Sequence, residues 1–248
     1  MARKRPTDSS AGKDQFATTH WSVVLAAGRS SSPNHEPALS TLCQTYWFPL
    51  YAYLRRHGYD AHKAADYTQA FFTQMLDKEY LKKVKPKPGK FRSFLLTALK
   101  HFVANEQARA AAFKRGGGRT ILSLNFENAE SQYALEPADD LTPERLFEKS
   151  WALTVLERTI DRLGIEMAEK GKRDVFDHLK TYISAEPNSV PYREAAVRLD
   201  MTEGAVRVAV HRLRNRCREI LRDEIAQTVA GPDDIDDEIR RLFTALTG

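Results

Sequence analysis

The chain has 248 residues, 42% of them hydrophobic and 29% charged, with a formal net charge of +5. Such a length and composition fit one large or two small folded domains, and the positive balance favours an anionic partner. Two cysteines, Cys43 and Cys217, are too few for a disulfide framework or a cysteine metal set, which points to the reducing cytoplasm. No apolar run is long enough for a bilayer, so membrane insertion is not expected.

The first stretch, MARKRPTDSSAGK, is basic and no apolar segment follows it, so it reads as a loose arm over residues 1–15 and not as a secretory signal. A short helix is expected over 16–28, capped by Thr18 or Thr19. In ALSTLCQTYWFPLYAYLRRHG, Leu39, Leu42, Cys43, Tyr46, Leu50, Tyr53 and Leu54 make an apolar stripe ended by Gly58. Pro49 inside it predicts one bent helix or two abutting ones. DAHKAADYTQAFFTQML predicts a helix capped by Asp60, with Ala64, Ala65, Thr68, Phe71, Phe72, Met75 and Leu76 inward. Asp66, Gln69, Ala70 and Thr73 lie towards its opposite face, a surface for a protein partner. A basic loop over 78–90 carries Pro86, Pro88 and Gly89.

The next segment, GKFRSFLLTALKHFVANEQARAAAFKR, is the longest convincing helix. Phe91, Phe94, Leu95, Ala98, Leu99, Phe102 and Val103 face inward at helical spacing. Arg92, Lys100, His101, Asn105 and Arg109 take the polar positions, and the phenylalanines read as core. His101 and Asn105 stand one turn apart and can meet a nucleic-acid strand. The glycines at 116–118 lack the lysine and hydroxyl residue of a phosphate loop and read as a helix exit. From there to 142 an irregular, flexible acidic linker is expected.

Beyond the linker, Leu146, Phe147, Trp151, Val155, Leu156, Ile160 and Leu163 form one helical stripe. Val175, Phe176, Leu179, Tyr182 and Ile183 form another. Then VPYREAAVRLDMTEGAVRVAVHRLRNRCREILRDE predicts a short helix over 192–199, a break at Asp200 and Met201, and a longer helix capped by Thr202 and favoured by Glu203 at its positive end. Val206, Val210, Leu213, Cys217 and Leu221 are its apolar stripe. Arg207, His211, Arg212, Arg214, Arg216, Arg218 and Arg222 stand on the other faces. A short helix, a turn and a longer basic helix make a helix-turn-helix pattern whose second helix fits the DNA major groove. An acidic amphipathic tail over 228–248 follows, as a negative cap or a shield for basic surface.

The expected fold is therefore all-α. Two helical domains, 16–115 and 143–227, are joined by an irregular linker over 116–142, and the second contains the helix-turn-helix. The histidines lack metal-ligand spacing and the carboxylates lack a defined catalytic pair, so no metal, cofactor or enzymatic activity is expected.

Taken in order, YWFPLYAYLRRHG, DYTQAFFTQML, GKFRSFLLTALKHFVANE, KRGGG, TPERLFEKSWALTVLER and YREAAVRLDMTEGAVRVAVHRLRNRCREILRDEIAQTVA resemble the sigma-70 family of bacterial RNA polymerase promoter-recognition subunits. The likeness is to the small extracytoplasmic-function class, in particular its planctomycete-type members. It implies a sigma factor that binds core RNA polymerase, recognises −35 and −10 promoter elements and promotes DNA opening. By that resemblance Asp66, Gln69 and Thr73 belong to the polymerase-binding helix, where Ala70 replaces the family's usual acidic residue. Lys100, His101, Asn105 and Arg109 fall on the −10 surface. Thr202, Glu203, Arg207, Val208, His211 and Arg212 fall on the −35 reading surface. Core polymerase and promoter DNA are the implied partners, an inhibitory anti-sigma protein is a further partner class, and the implied location is cytoplasmic, at the nucleoid during initiation. A helix-turn-helix regulator that acts without the polymerase core is the alternative.

Overall fold

The computed structural model describes residues 35–75, 91–112, 126–134, 141–184, 191–229 and 231–247. The expected arm at 1–15, the helix at 16–28, the loop at 78–90 and the glycine run at 116–118 lie outside them. Among the described residues every regular element is helical and there is no strand. In chain order these are α1 (His35–Arg56), α2 (Ala61–Met75), α3 (Phe91–Ala112), α4 (Phe126–Ala134), α5 (Pro143–Glu169), α6 (Arg173–Leu179), α7 (Thr181–Ser184), α8 (Tyr192–Arg198), α9 (Glu203–Ala226), a 3-10 turn (Pro232–Asp234) and α10 (Ile235–Thr247).

The starts and stops have local causes. Asp60 accepts a hydrogen bond from the Lys63 amide at 2.9 Å and opens α2. Thr142 does the same for Arg145 at the head of α5, with Pro143 in the first position, where its missing N–H costs nothing. Three helices stop in one way, with a left-handed residue after the cap. At Gly58 and Gly171 this is glycine; after α8 it is Asp200, at φ 51°. There the Met201 amide bonds Ala196 O at 2.9 Å and the Asp200 amide bonds Val197 O at 3.4 Å, a Schellman closure. Pro49 sits buried within α1, which is assigned as one helix throughout.

α1 packs against α2, α3, α4 and, most extensively, α5. This surrounds it, so Trp47, Tyr51 and Ala52 are buried along with the expected stripe of Tyr46, Leu50, Tyr53 and Leu54. The same core takes in Phe147, Trp151, Ala152 and Val155 of α5, Leu221 and Ile225 of α9, and Leu242 of α10. A second cluster gathers Leu163, Phe176, Leu179, Tyr182, Ala195, Ala196, Val206, Val210, Leu213 and Ile220. The long helices α5 and α9 thus each run from one cluster into the other. Gly164 in α5 lets the Phe176 ring close in, since a Cβ there would lie 2.9 Å from that ring.

Three sequence expectations change. Within the segment expected to be irregular, α4 is helical and docks on α1: Ala129 is buried, and Glu130 takes hydrogen bonds from Tyr51 and Arg55 while Arg55 covers the Tyr133 ring. Arg92, expected at a polar position, is 2% exposed. It pairs with Glu148 of α5 and Glu238 of α10 and lies 4.4 Å from the Trp151 ring centroid. The tail segment, expected only as an acidic amphipathic cap or shield, also enters the core through Leu242, with Ile235, Ile239, Ala245 and Leu246 packed around it. Its acids pair one by one: Asp236 with Arg222, Asp237 with Arg240 and Glu238 with Arg92.

Candidate nucleic-acid interface

The outer face of α9 is made by sorting its cations. Val206, Val210, Leu213 and Ile220 hold one side of the helix in the second cluster. Thr202 caps it by accepting from the Ala205 amide at 3.2 Å, which engages its hydroxyl oxygen in positioning the helix. Most arginines on the flanks are used internally. Arg214 donates twice to Tyr182 O, at 3.1 and 2.8 Å. Arg216 grips Glu166 of α5 with two bonds of 2.8 Å and also pairs with Glu219. Arg218 bonds Asn215, and Arg222 bonds Asp236. The hydrogen bonds from Arg216 hold the Glu166 carboxyl below its usual value, and those to Glu166 and Glu219 hold the Arg216 guanidinium above its own.

What remains outward is the expected reading set. Arg207, His211 and Arg212 are exposed, as are Thr202 and Glu203 at the helix start, and Val208 is 50% exposed. Arg207 leans over the Tyr192 ring at 5.7 Å, and the His211 ring lies 3.0 Å from the Asn215 amide nitrogen. Arg207 and Arg212 enter no ion pair among the described residues. Two further exposed cations stand on α8, Arg193 and Arg198. Sequence reasoning passed over them, although their place on the shorter helix beside the turn was the available signal. The exposed Val197, at 77%, is on the same short helix.

On α3, His101, Asn105 and Arg109 are exposed, and Arg109 pairs with Glu106 one turn back. Lys100 differs from these. Its ammonium bonds Glu144, in the first turn of α5, at 2.7 Å and lies 5.7 Å from the Tyr53 ring. The hydrogen bond raises the Lys100 amine and lowers the Glu144 carboxyl. On α2, Asp66, Ala70 and Thr73 are exposed and Gln69 is half-buried. The Thr73 hydroxyl donates to Gln69 O at 2.9 Å. The three residue sets stand on three different helices, α2, α3 and α9.

Among the described residues no group of three or more His, Cys, Asp or Glu side chains could hold a metal ion, and no helix is long and apolar enough to cross a membrane. Cys43 and Cys217 are half-buried in different clusters, and burial pushes the Cys43 thiol up to about 11. Comparison with family models, with curated proteins and with solved structures returns no match for this chain.

Proposed function

We propose that this protein is a sigma-type promoter-recognition subunit, in which α8, the turn at Asp200 and α9 form a helix-turn-helix that reads duplex DNA. The observation that carries the proposal is the sorting of α9's cations. Arg214, Arg216 and Arg222 are engaged by Tyr182 O, by Glu166 with Glu219, and by Asp236, and Arg218 bonds only the neutral Asn215 side chain, while Arg207, His211 and Arg212 stay outward on a helix seated through its apolar face. The remaining outward groups suit groove readout. Arg207 or Arg212 can bind guanine or anchor on phosphate, Glu203 can accept from cytosine, and Val208 can meet a thymine methyl. In this reading 16–115 and 143–227 are the two functional domains. The α2 face of Asp66, Gln69 and Thr73 binds the polymerase core, and α3 presents Lys100, His101, Asn105 and Arg109 to the opened −10 strand. Melting then draws on binding energy within the assembly and needs no catalytic group.

The test is co-purification with core RNA polymerase, followed by transcription from candidate promoters. Stable association and promoter-dependent initiation are expected. A folded chain that binds promoter duplex but neither associates with core nor supports initiation overturns the proposal.

One observation favours a second reading, a helix-turn-helix regulator that works without the polymerase core. Phe147 and Trp151 of α5 are 0% exposed within the core built on α1. Parting α5 from α1, as widely separated docking of the two halves demands, exposes both rings at about 1.5–3 kcal/mol each. A regulator that keeps this packing avoids that cost, and the same co-purification separates the two readings.

A further inference from the structure

We propose that the cleft between the head of α5 and the last turns of α10 binds a small organic anion, a carboxylate carried on an apolar body. The cleft encloses about 450 Å³, within the range of small-ligand sites, about 300–1,000 Å³.

Its lining divides by chemistry. Leu141, Ala245 and Leu246 give it apolar surface, and Ala245 and Leu246 are half-buried at the edge of the main core. The cations Arg92, Arg145, Lys149 and Arg241 share the lining with Glu144 and Glu148. Both acids are already taken, Glu144 by the Lys100 ammonium at 2.7 Å and Glu148 by Arg92. Arg92 in turn is held by Glu238 at 2.9 Å and lies against the Trp151 ring. Arg145 and Arg241 are exposed and enter no ion pair among the described residues. These two guanidiniums, one from α5 and one from α10, are therefore the charges left for a ligand.

A guanidinium matches a carboxylate with two parallel N–H donors. The leucine and alanine surface takes the apolar body out of water. A cation would meet both arginines as like charges, and an anion without an apolar body would leave the leucines unused. Because the lining comes from both helices, such a ligand binds only while α10 is docked on α5. Occupancy thus holds the tail in place, and with it the Glu238 side chain that pairs with Arg92 of α3. By linkage, stability rises with ligand concentration.

The experiment is isothermal titration calorimetry of the full chain with decanoate, kept below micelle formation, against acetate and decylammonium. Saturable binding of decanoate is expected, with the thermal midpoint rising as it is added. Acetate and decylammonium are each expected to bind about tenfold more weakly or worse. The double variant Arg145→Gln with Arg241→Gln, both on the surface, is expected to weaken decanoate binding by about tenfold with an unchanged circular dichroism spectrum. Thr244→Trp adds a ring at an exposed position of the lining and is expected to weaken decanoate binding by competing for the cleft. Absence of saturable decanoate binding overturns the proposal. So does decylammonium bound as tightly as decanoate, which marks an apolar surface without charge selection. So does a folded variant of either kind with the parent's affinity, which places the bound anion elsewhere on this basic chain.

Discussion

Arg92 and Glu238 form a buried ion pair, Nε to Oε1 at 2.9 Å, between residues 146 positions apart. Arg92 is 2% exposed and Glu238 1%. Glu148 completes the cluster; burial pushes its carboxyl up while the Arg92 guanidinium pulls it down. One guanidinium thus ties the head of α3 to α5 and α10, and the Phe91 amide reinforces the junction by donating to Thr228 O at 3.3 Å.

Removing one partner strands the other without water. Arg92→Met is expected to lose about 3–5 kcal/mol of stability, because Glu238 is left buried and unpaired. The double change Arg92→Met with Glu238→Leu is expected to recover most of it. Urea midpoints of the two variants check this, and equal midpoints count against the pair as the cause.

The turn between α8 and α9 carries a mild strain. Asp200 occupies the left-handed position that glycine fills at Gly58 and Gly171. Asp200→Gly is expected to stabilise the chain by about 0.5–1 kcal/mol, and Asp200→Val to destabilise it by about 1–2 kcal/mol. Thermal melts of the two variants should move in opposite directions.

Acid should loosen the contact between α5 and α9. Hydrogen bonds from Arg216 depress the Glu166 carboxyl from its usual 4.5. A depressed carboxyl contributes stability that is present above its unfolded value and lost as pH falls through the lower folded value. Stability is therefore expected to drop below about pH 4.5, with about 1 kcal/mol of the drop, screened by solvent, assigned to this pair. Glu166→Gln should remove that component, so its stability at pH 7 falls while its acid limb flattens; unfolding curves at several pH values decide it.

On the proposed reading face, Arg207→Ala and Arg212→Ala are each expected to impair promoter-dependent initiation while fold and polymerase binding persist. Loss of a base-reading arginine should lower discrimination against the wrong base by about tenfold or more. Loss of a phosphate anchor should weaken all sequences and reduce the salt slope by about one unit. A salt series with matched and scrambled −35 duplexes separates these roles. Parent-like affinity, specificity and salt dependence in both variants would move the docking surface elsewhere.

On the α2 face proposed to meet the polymerase core, Asp66→Ala with Gln69→Ala is expected to weaken binding to purified core enzyme with little change in circular dichroism. Asp66 is exposed and Gln69 half-buried beside the Phe71 and Phe72 core. Unchanged affinity removes this face from the interface.

The sequence by itself determined most of the helices and most of their inward stripes, because these depend on contacts within four or five residues; α4, in the segment expected to be irregular, is the exception. Asp60, Thr142 and Thr202 cap as their side chains dictate, and Phe91 through Val103 keep the expected face inward. It also determined which α9 residues point away from the core, since Val206, Val210 and Leu213 set the rotation of the helix. Only the tertiary structure decided what meets across long separations. A helix covered on several sides buries more than one stripe, so Trp47, Tyr51 and Ala52 of α1 escaped the periodic reading. An arginine at a polar position looks the same whether it meets water or a distant glutamate, so Arg92 gave no local sign of Glu238. The same limit applies to the cations of α9: charge spacing marks a basic helix, but only the placement of Glu166, Tyr182 and Asp236 decides which arginines are left for a partner.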